Sequence, residues 1–492
     1  MSEGNTEAVE KQDGAGLKLN KKTMISIFLV LIAVFIFAGF MTQLLPRGEF
    51  QRTESGQIIN GTYTENLDYK IPIWKVLLSP VLCFGSEQAV TGIAIILFIV
   101  LIGGAFLILD KCGIMKYIMA FLVEKFGKRK YLLLSAMVFV LMGMSSITGI
   151  LEESITLVPL AVAISLALGW DSLVGLGMSL IAIAWGFTAA TFNPYNIMTV
   201  QKLIGLKMFS GLWLRLIIFA GVYLLLIAFL IVYAKKIEKN PKKSLVYESD
   251  KLIREKFAVT ETEEVLSNPL TKKATRAFVI FMLLDIIFVV IDFALDLGGM
   301  LSLPSMALLF TVGGLFSGYL AGLKGKNLFK SFFSGVKTIA PAIPLVIFVI
   351  SVAYILDQGM IIDTILNSVY TAIEGVGTYQ AIFILFIFVV VLEFFLGSST
   401  AKAFLIMPIL APLSDMVNIT RQSLVVTFSL ADGFTNLLFP TSGVMIIAIG
   451  LVGVSYGKWL RWSWKLFLLN ALFCALVLVL CVAINYGVGD MI

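Results

Sequence analysis

The sequence predicts an all-α polytopic membrane protein made of two inverted repeats, each with a re-entrant hairpin and a Pro-broken transmembrane helix, about nine crossings plus two hairpins. Three observations predict it. Of 492 residues, 59% are hydrophobic and 14% charged, with a mean hydropathy of +0.97. Lipid can cover that much apolar surface and a water-soluble fold cannot. The apolar runs are continuous over about 20 residues, which selects helices over a β-barrel. Four short motifs recur in one order at an offset of roughly 250 residues.

The elements follow in chain order. Residues 1–23 form a cytoplasmic tail, basic at its end (Lys18, Lys21, Lys22). The run 24–45 is too long for a signal-peptide core, so a retained first helix is expected. With its external loop it makes a unit over 24–87. Apolar segments then fall near 88–110, 131–143, 150–168, 172–205, 211–234, 275–297, 299–322, 338–356, 378–396, 402–414, 421–455 and 464–486. The pairs 131–143 with 150–168 and 378–396 with 402–414 are short and bracket small-polar turns, the pattern of re-entrant hairpins.

Charge supplies the orientation. Lysines and arginines cluster at 111–130, 235–243, 324–337 and 458–465. All four clusters reach the cytoplasm if the hairpins do not cross, with the N-terminus inside and the C-terminus outside. The first hairpin then enters from the cytoplasm and the second from outside. The loops 46–74 and 357–377 are external. Residues 235–274 form the main cytoplasmic linker, mixed in charge and expected to pack poorly.

The repeated motifs are Ile108-Leu109-Asp110 with Ile355-Leu356-Asp357, Ser145-Ser146 with Ser398-Ser399, Gly186-Phe187-Thr188 with Gly433-Phe434-Thr435, and Gly211 to Arg215 with Gly457 to Arg461. They define repeat 1 at 88–235 and repeat 2 at 338–486. Residues 236–274 are the linker, 275–337 linking scaffold helices, and 487–492 an external tail. Inverted repeats place substrate and ion sites at their interface near the midplane.

The candidate site residues sit at the tips and breaks. The tips read Gly143 to Gly149, with Ser145, Ser146 and Thr148, and Gly397 to Lys402, with Ser398, Ser399 and Thr400. Their hydroxyls and freed carbonyls offer hard oxygen ligands for Na⁺, placed at Ser145, Ser146, Ser398 and Ser399, or for a substrate carboxylate. The broken helices carry Thr191, Asn193 and Asn196 around Pro194, and Thr435, Asn436, Thr441 and Ser442 around Pro440. Proline removes a donor, and unwound backbone at membrane depth needs a protein or cavity lining. Four carboxylates lie inside the apolar runs, Glu152, Glu153, Glu393 and Asp432, with Lys402 the one cation close to a tip. Such groups cost at least about 2.5 kcal/mol to insert and default to function. Asp110 and Asp357 at helix ends are expected to be interfacial, and Trp213 and Trp459 to anchor at the lipid headgroups.

Composition excludes other classes. There is no histidine, so His metal ligands and His proton relays are absent. Cys83, Cys112, Cys474 and Cys481 have no metal spacing. The net charge of +6 lies in short loops and implies no nucleic-acid partner. An enzyme is not expected, and no cofactor beyond Na⁺ or H⁺ coupling.

At Leu45-Pro46-Arg47-Gly48-Glu49-Phe50, at the Gly-Ser-Ser-Thr-Ala-Lys stretch 397–402, and at Phe439-Pro440-Thr441-Ser442-Gly443 the chain resembles the YfcC/DcuC group of bacterial carriers in the ion-transporter superfamily. The resemblance covers most of residues 24–486. It implies a homodimer in the bacterial inner membrane, with a scaffold domain and a moving transport domain. Related families carry Ser-Asn-Thr sodium motifs at their tips, whereas these tips contain no asparagine. The group includes C4-dicarboxylate carriers and basic amino-acid exchangers. The acids near the tips favour an amino acid of the arginine/ornithine type, moved by alternating access. A Na⁺- or H⁺-coupled dicarboxylate carrier is the alternative, and a channel a third.

Overall fold

The computed structural model describes residues 21–51, 62–65, 70–86, 88–152, 154–251, 266–295, 302–373 and 375–487. Glu153, the tail 1–20 and residues 488–492 lie outside the described residues.

Helix α1 (Lys21–Leu44) leads into a small ribbon, where β1 (Gly48–Glu49) pairs antiparallel with β2 (Thr64–Glu65). A first run of helices follows: α2 (Gln88–Lys111), α3 (Ile114–Phe126), α4 (Lys130–Thr148), α5 (Ser154–Ala167), α6 (Ser172–Thr188), α7 (Thr199–Leu203, entered through the π turn Pro194–Met198) and α8 (Leu212–Lys239). Three helices connect it onward, α9 (Pro269–Ala294), α10 (Ser302–Leu320) and α11 (Lys326–Ile339). The second run is α12 (Ile343–Gln358), α13 (Ile362–Ile373), α14 (Thr378–Phe395), α15 (Ser399–Met416), α16 (Arg421–Thr435), α17 (Gly443–Val452) and α18 (Tyr456–Ala483).

The second run reproduces the first element for element, including the break between α6 and α7 and that between α16 and α17. The contacts exchange partners in the same way. Helix α4 packs on α6 as α14 packs on α16, and α5 meets α17 as α15 meets α7. Helices α6 and α16 touch each other, as do α8 and α18. The arms of each short pair therefore lean chiefly on the broken helices.

Among the described residues, five helical runs are long and apolar enough to cross a membrane, and a sixth if α11 and α12 form one span bent by 46°. The bend falls at Ala340-Pro341-Ala342, where proline breaks the ladder. The protein is a multi-pass membrane protein. Small residues let the outer helices close on α2: a Cβ on Gly335 would lie 2.3 Å from the Gly103 carbonyl, and one on Gly314 would lie 2.8 Å from Ala105 Cβ. Close backbone approach is how helices gain contact when lipid removes the hydrophobic drive between them.

Several expectations need correction. Helices α3, α11 and α13 occupy stretches whose charge or polarity reads as loop. They are 12 to 14 residues long, too short to span alone, although α3 runs with α4 as one apolar stretch, Ile114–Thr148, and a spanning window does not separate amphipathic helices of that length. The linker is not loose as far as residue 251. Helix α8 runs on to Lys239, and Ser244, Val246 and Asp250 are buried. Ser244 and Tyr233 donate to Asp171 at 2.6 and 2.7 Å, and Asp250 accepts the Ser172 amide at 2.8 Å, so the linker caps the start of α6. Asp110 is buried within the protein, whereas Asp357 is exposed. Trp213 is exposed as an anchor would be, but Trp459 is fully buried.

Candidate functional site

The site is built around the first break. Helix α6 ends at Thr188, and Asn193 caps the π turn by accepting the Tyr195 amide at 2.9 Å. Amides freed between them turn to α4. The Ser146 carbonyl accepts from Thr191, Phe192 and Asn193 at 2.9, 3.2 and 3.2 Å. The Ser146 hydroxyl donates to the Ala189 carbonyl at 2.8 Å and meets Thr191 Oγ1 at 3.0 Å. Unwound backbone is tolerated in an apolar setting because its polar groups find such partners.

Other elements converge on the same break. From α16, Ser429 donates to the Thr188 carbonyl at 3.0 Å. Asn196 donates to the Phe187 carbonyl at 3.1 Å and to Ser429 at 3.4 Å. From the start of α15, Thr400 donates to the Tyr195 carbonyl at 3.4 Å. From α8, the buried Arg215 donates to the Thr191 carbonyl at 3.2 Å and the Ser210 carbonyl at 2.8 Å. Gly149, at φ +76, ends α4, and a Cβ there would lie 2.4 Å from Asn193 Oδ1.

The second break is held differently. Ser442 caps α17, accepting the Met445 amide at 3.4 Å, and Thr441 stands half-buried beside it. Thr435 and Asn436 bond back to α16 at the Ala431 and Asp432 carbonyls, at 2.6 and 3.1 Å. The Leu437 and Leu438 carbonyls accept from Trp459 at 2.9 Å and from Tyr456 at 2.7 Å. The related motifs Gly211 to Arg215 and Gly457 to Arg461 thus perform one task with different residues. In the first the arginine turns inward and the tryptophan outward; in the second Trp459 turns inward and Arg461 is exposed.

The charged centre lies among α14, α15 and α16. Lys402 Nζ contacts both Glu393 Oε2 and Asp432 Oδ1. All three side chains are buried, and Asp432 Oδ2 has no hydrogen-bond partner among the described residues. With every group ionised the cluster carries one net negative charge.

The remaining predicted residues divide. Ser145 donates to the Ile150 carbonyl at 2.7 Å and Thr148 to the Met144 carbonyl at 2.8 Å, both local. Glu152 is half-buried in the turn before α5; Glu153 is outside the described residues. Ser398 caps α15, accepting the Ala401 amide at 3.4 Å. Ser399 Oγ is buried and uncommitted among the described residues. Three of the four serines expected to hold Na⁺ are hydrogen-bonded within the protein, Ser145 and Ser146 as donors and Ser398 as an acceptor.

The two Ser-Ser pairs are not equivalent, which corrects the alignment of the tips. Ser145 and Ser146 belong to the last turn of α4, before the turn, whereas Ser398 and Ser399 open α15, after it. Counting from the helix ends, Glu393 stands where α4 has Ser146, and Ser399 stands where α5 has Ser154. Ser154, which no motif singles out, is likewise buried and without a hydrogen-bond partner among the described residues.

Arg215 is the other residue that sequence reasoning missed. Arg215→Leu is expected to orphan the Thr191 carbonyl, at about 1–3 kcal/mol, while the Ser210 carbonyl keeps the side-chain amides of Gln201 and Gln422. Arg215→Lys, with one ammonium for two acceptors, should lie between leucine and wild type. Melting temperatures of the purified variants check the order.

The family model for DcuC, the C4-dicarboxylate anaerobic carrier, matches residues 24–483. The "Putative basic amino acid antiporter YfcC" of Escherichia coli (strain K12) is 29% identical over 390 residues, covering 77% of this chain and 75% of its own. An uncharacterized protein of Haemophilus influenzae is 25% identical over 481 residues, covering 89% and 92%. Among solved structures, Neisseria gonorrhoeae MtrF, described with a class of antimetabolite efflux pumps, is 16% identical, covers 97% of each chain and has a TM-score of 0.42.

Proposed function

The chain belongs to the DcuC (C4-dicarboxylate anaerobic carrier) family, and from that premise we propose a secondary active transporter that exchanges basic amino acids of the arginine/ornithine type by alternating access. Transport, and not enzymatic chemistry, follows from the family. The observation that carries the substrate class is the buried cluster of Glu393, Lys402 and Asp432, two acids to one base. A cationic group entering it finds net attraction, whereas a dianion finds repulsion in a setting where water screens little. The name of the Escherichia coli relative supports the same class.

We further propose that the two runs of helices are inverted repeats and that their exchange of contacts reflects a pseudo-two-fold axis in the membrane plane. The breaks at 189–193 and 436–442 then meet near the midplane, which is where inverted-repeat carriers bind. The short pairs α4–α5 and α14–α15 are re-entrant hairpins in this reading, within nine crossings, N-terminus inside. A homodimer in the bacterial inner membrane is the assembly proposed, built on α1 and α9–α11.

Dicarboxylate carriage is the second reading, favoured by the family description and by Lys402 in the first turn of α15. Uptake of labelled arginine and of succinate into proteoliposomes, each with and without internal counter-substrate, separates the two. Saturable arginine uptake that requires an internal basic amino acid is expected. Succinate uptake without arginine uptake overturns the preferred reading.

A further inference from the structure

We infer that Lys402 is a built-in cation, holding between Glu393 and Asp432 the place that a coupling sodium ion would otherwise fill. The inference rests on the transporter reading above and deepens it to the mode of coupling.

The first support is the comparison between the two runs. Counting from the helix ends, the positions of Glu393, Lys402 and Asp432 correspond in α4, α5 and α6 to Ser146, Leu157 and Trp185. The packing that joins these three helices is thus achieved once with no charge at all. The fold does not require the ions in α14–α16. Buried ion pairs are poor stabilisers relative to apolar residues of similar size, so packing alone gives no reason for the triad.

The second support is what surrounds it. Asp432 Oδ2 is buried with no hydrogen-bond partner among the described residues, and Ser399 Oγ, three positions before Lys402, is likewise uncommitted. Asp432 therefore keeps one carboxylate oxygen beyond the one that meets the ammonium. Other charged groups on the helices packed around it are committed or exposed. Asp363 of α13 accepts the Phe50 amide at 3.0 Å, and Asp415 pairs with Arg421 at 2.8 Å. Lys202, Asp357, Arg461 and Lys465 are exposed, and Lys458 is half-exposed. The other described buried cation beside α16, Arg215 of α8, is committed to the Thr191 and Ser210 carbonyls. A tethered ammonium returns with the site in each half-cycle, so one of the two carboxylates is compensated without an ion from solution.

The test uses the purified full chain and a melting temperature, measured in sodium chloride and in choline chloride at equal ionic strength and mildly alkaline pH, where protons compete least. Wild type is expected to melt identically in both. Lys402→Met leaves two buried carboxylates facing a vacancy. It is expected to melt lower in choline and to recover in sodium, saturably, by on the order of 3 °C or more. Sodium stabilisation of wild type overturns the inference, as does a folded Lys402→Met indifferent to sodium. If Lys402→Met folds in neither salt, the double variant with Asp432→Asn, equal to wild type in net charge, is expected to fold without sodium. A double variant that also fails makes the triad a packing requirement and overturns the inference. Because the readout is melting, a failure of arginine uptake would reject the substrate reading separately.

Discussion

Asp432→Asn is expected to remove arginine transport, by on the order of a hundredfold or about 2.7 kcal/mol, while leaving the melting temperature unchanged or raised. The sign follows from the charge of the centre. Glu393 and Lys402 remain as a neutral pair, so the one uncompensated buried negative charge disappears, and that charge is costly in an apolar setting. Asparagine keeps the shape and an oxygen for Lys402. A cationic substrate, however, no longer meets a net negative cluster. If the triad served only to hold α14, α15 and α16 together, the opposite pattern would follow: lower stability, with near-normal transport by the protein that folds. Parallel melting curves and proteoliposome uptake on one preparation distinguish the two. Uptake within a few-fold of wild type would reject Asp432 as a substrate group.

The charged centre was legible in the sequence because polar residues inside apolar runs stand out residue by residue. Lys402, Glu393 and Asp432 each interrupt a run, and their meeting required only that the three runs be neighbours. The breaks were legible for a similar local reason, since Pro194 and Pro440 disfavour a continuing helix and stand among Asn, Thr and Ser, whereas Pro159, Pro408 and Pro412, in apolar surroundings, lie inside helices. Three kinds of information were not local. Helix α11 has Lys326, Lys330 and Lys337 along it, and averaging hides the face that lays Gly335 on Gly103. Arg215 reads as a headgroup residue at a helix start, because nothing near it in sequence announces the Thr191 carbonyl it serves. The alignment of Ser145-Ser146 with Ser398-Ser399 matched residue identity across a turn whose two sides only the helix ends define. In each case the deciding contact joins segments far apart in the chain.

The largest structural effect is expected at Gly186. A Cβ there would lie 2.1 Å from the Met142 carbonyl oxygen and 3.0 Å from Met142 Cα. Those atoms belong to the backbone of α4 and cannot rotate away, so Gly186→Ala must push α6 off α4. One turn further along α4, the same contact lets the Ser146 carbonyl collect three amides of the first break. Separation therefore costs both packing and hydrogen bonds. Overpacking alone costs about 1–3 kcal/mol, and orphaned buried amides add about 1–3 kcal/mol each, enough to abolish accumulation of folded protein. Gly433→Ala should act alike, since its Cβ would lie 2.3 Å from the Thr188 amide nitrogen where α16 crosses α6. Gly143 provides the contrast. It lies in α4 itself, yet the nearest atom to a Cβ there is Phe219 Cζ at 4.0 Å. Gly143→Ala is expected to stabilise by roughly 0.5–1 kcal/mol, through the entropy that glycine loses in a helix. Fluorescence-detected gel filtration and melting of the three variants test the series. A Gly186→Ala protein that elutes and melts like Gly143→Ala would show that α4 and α6 do not need their close approach. The break would then have to be held by Arg215 and the α16 contacts alone.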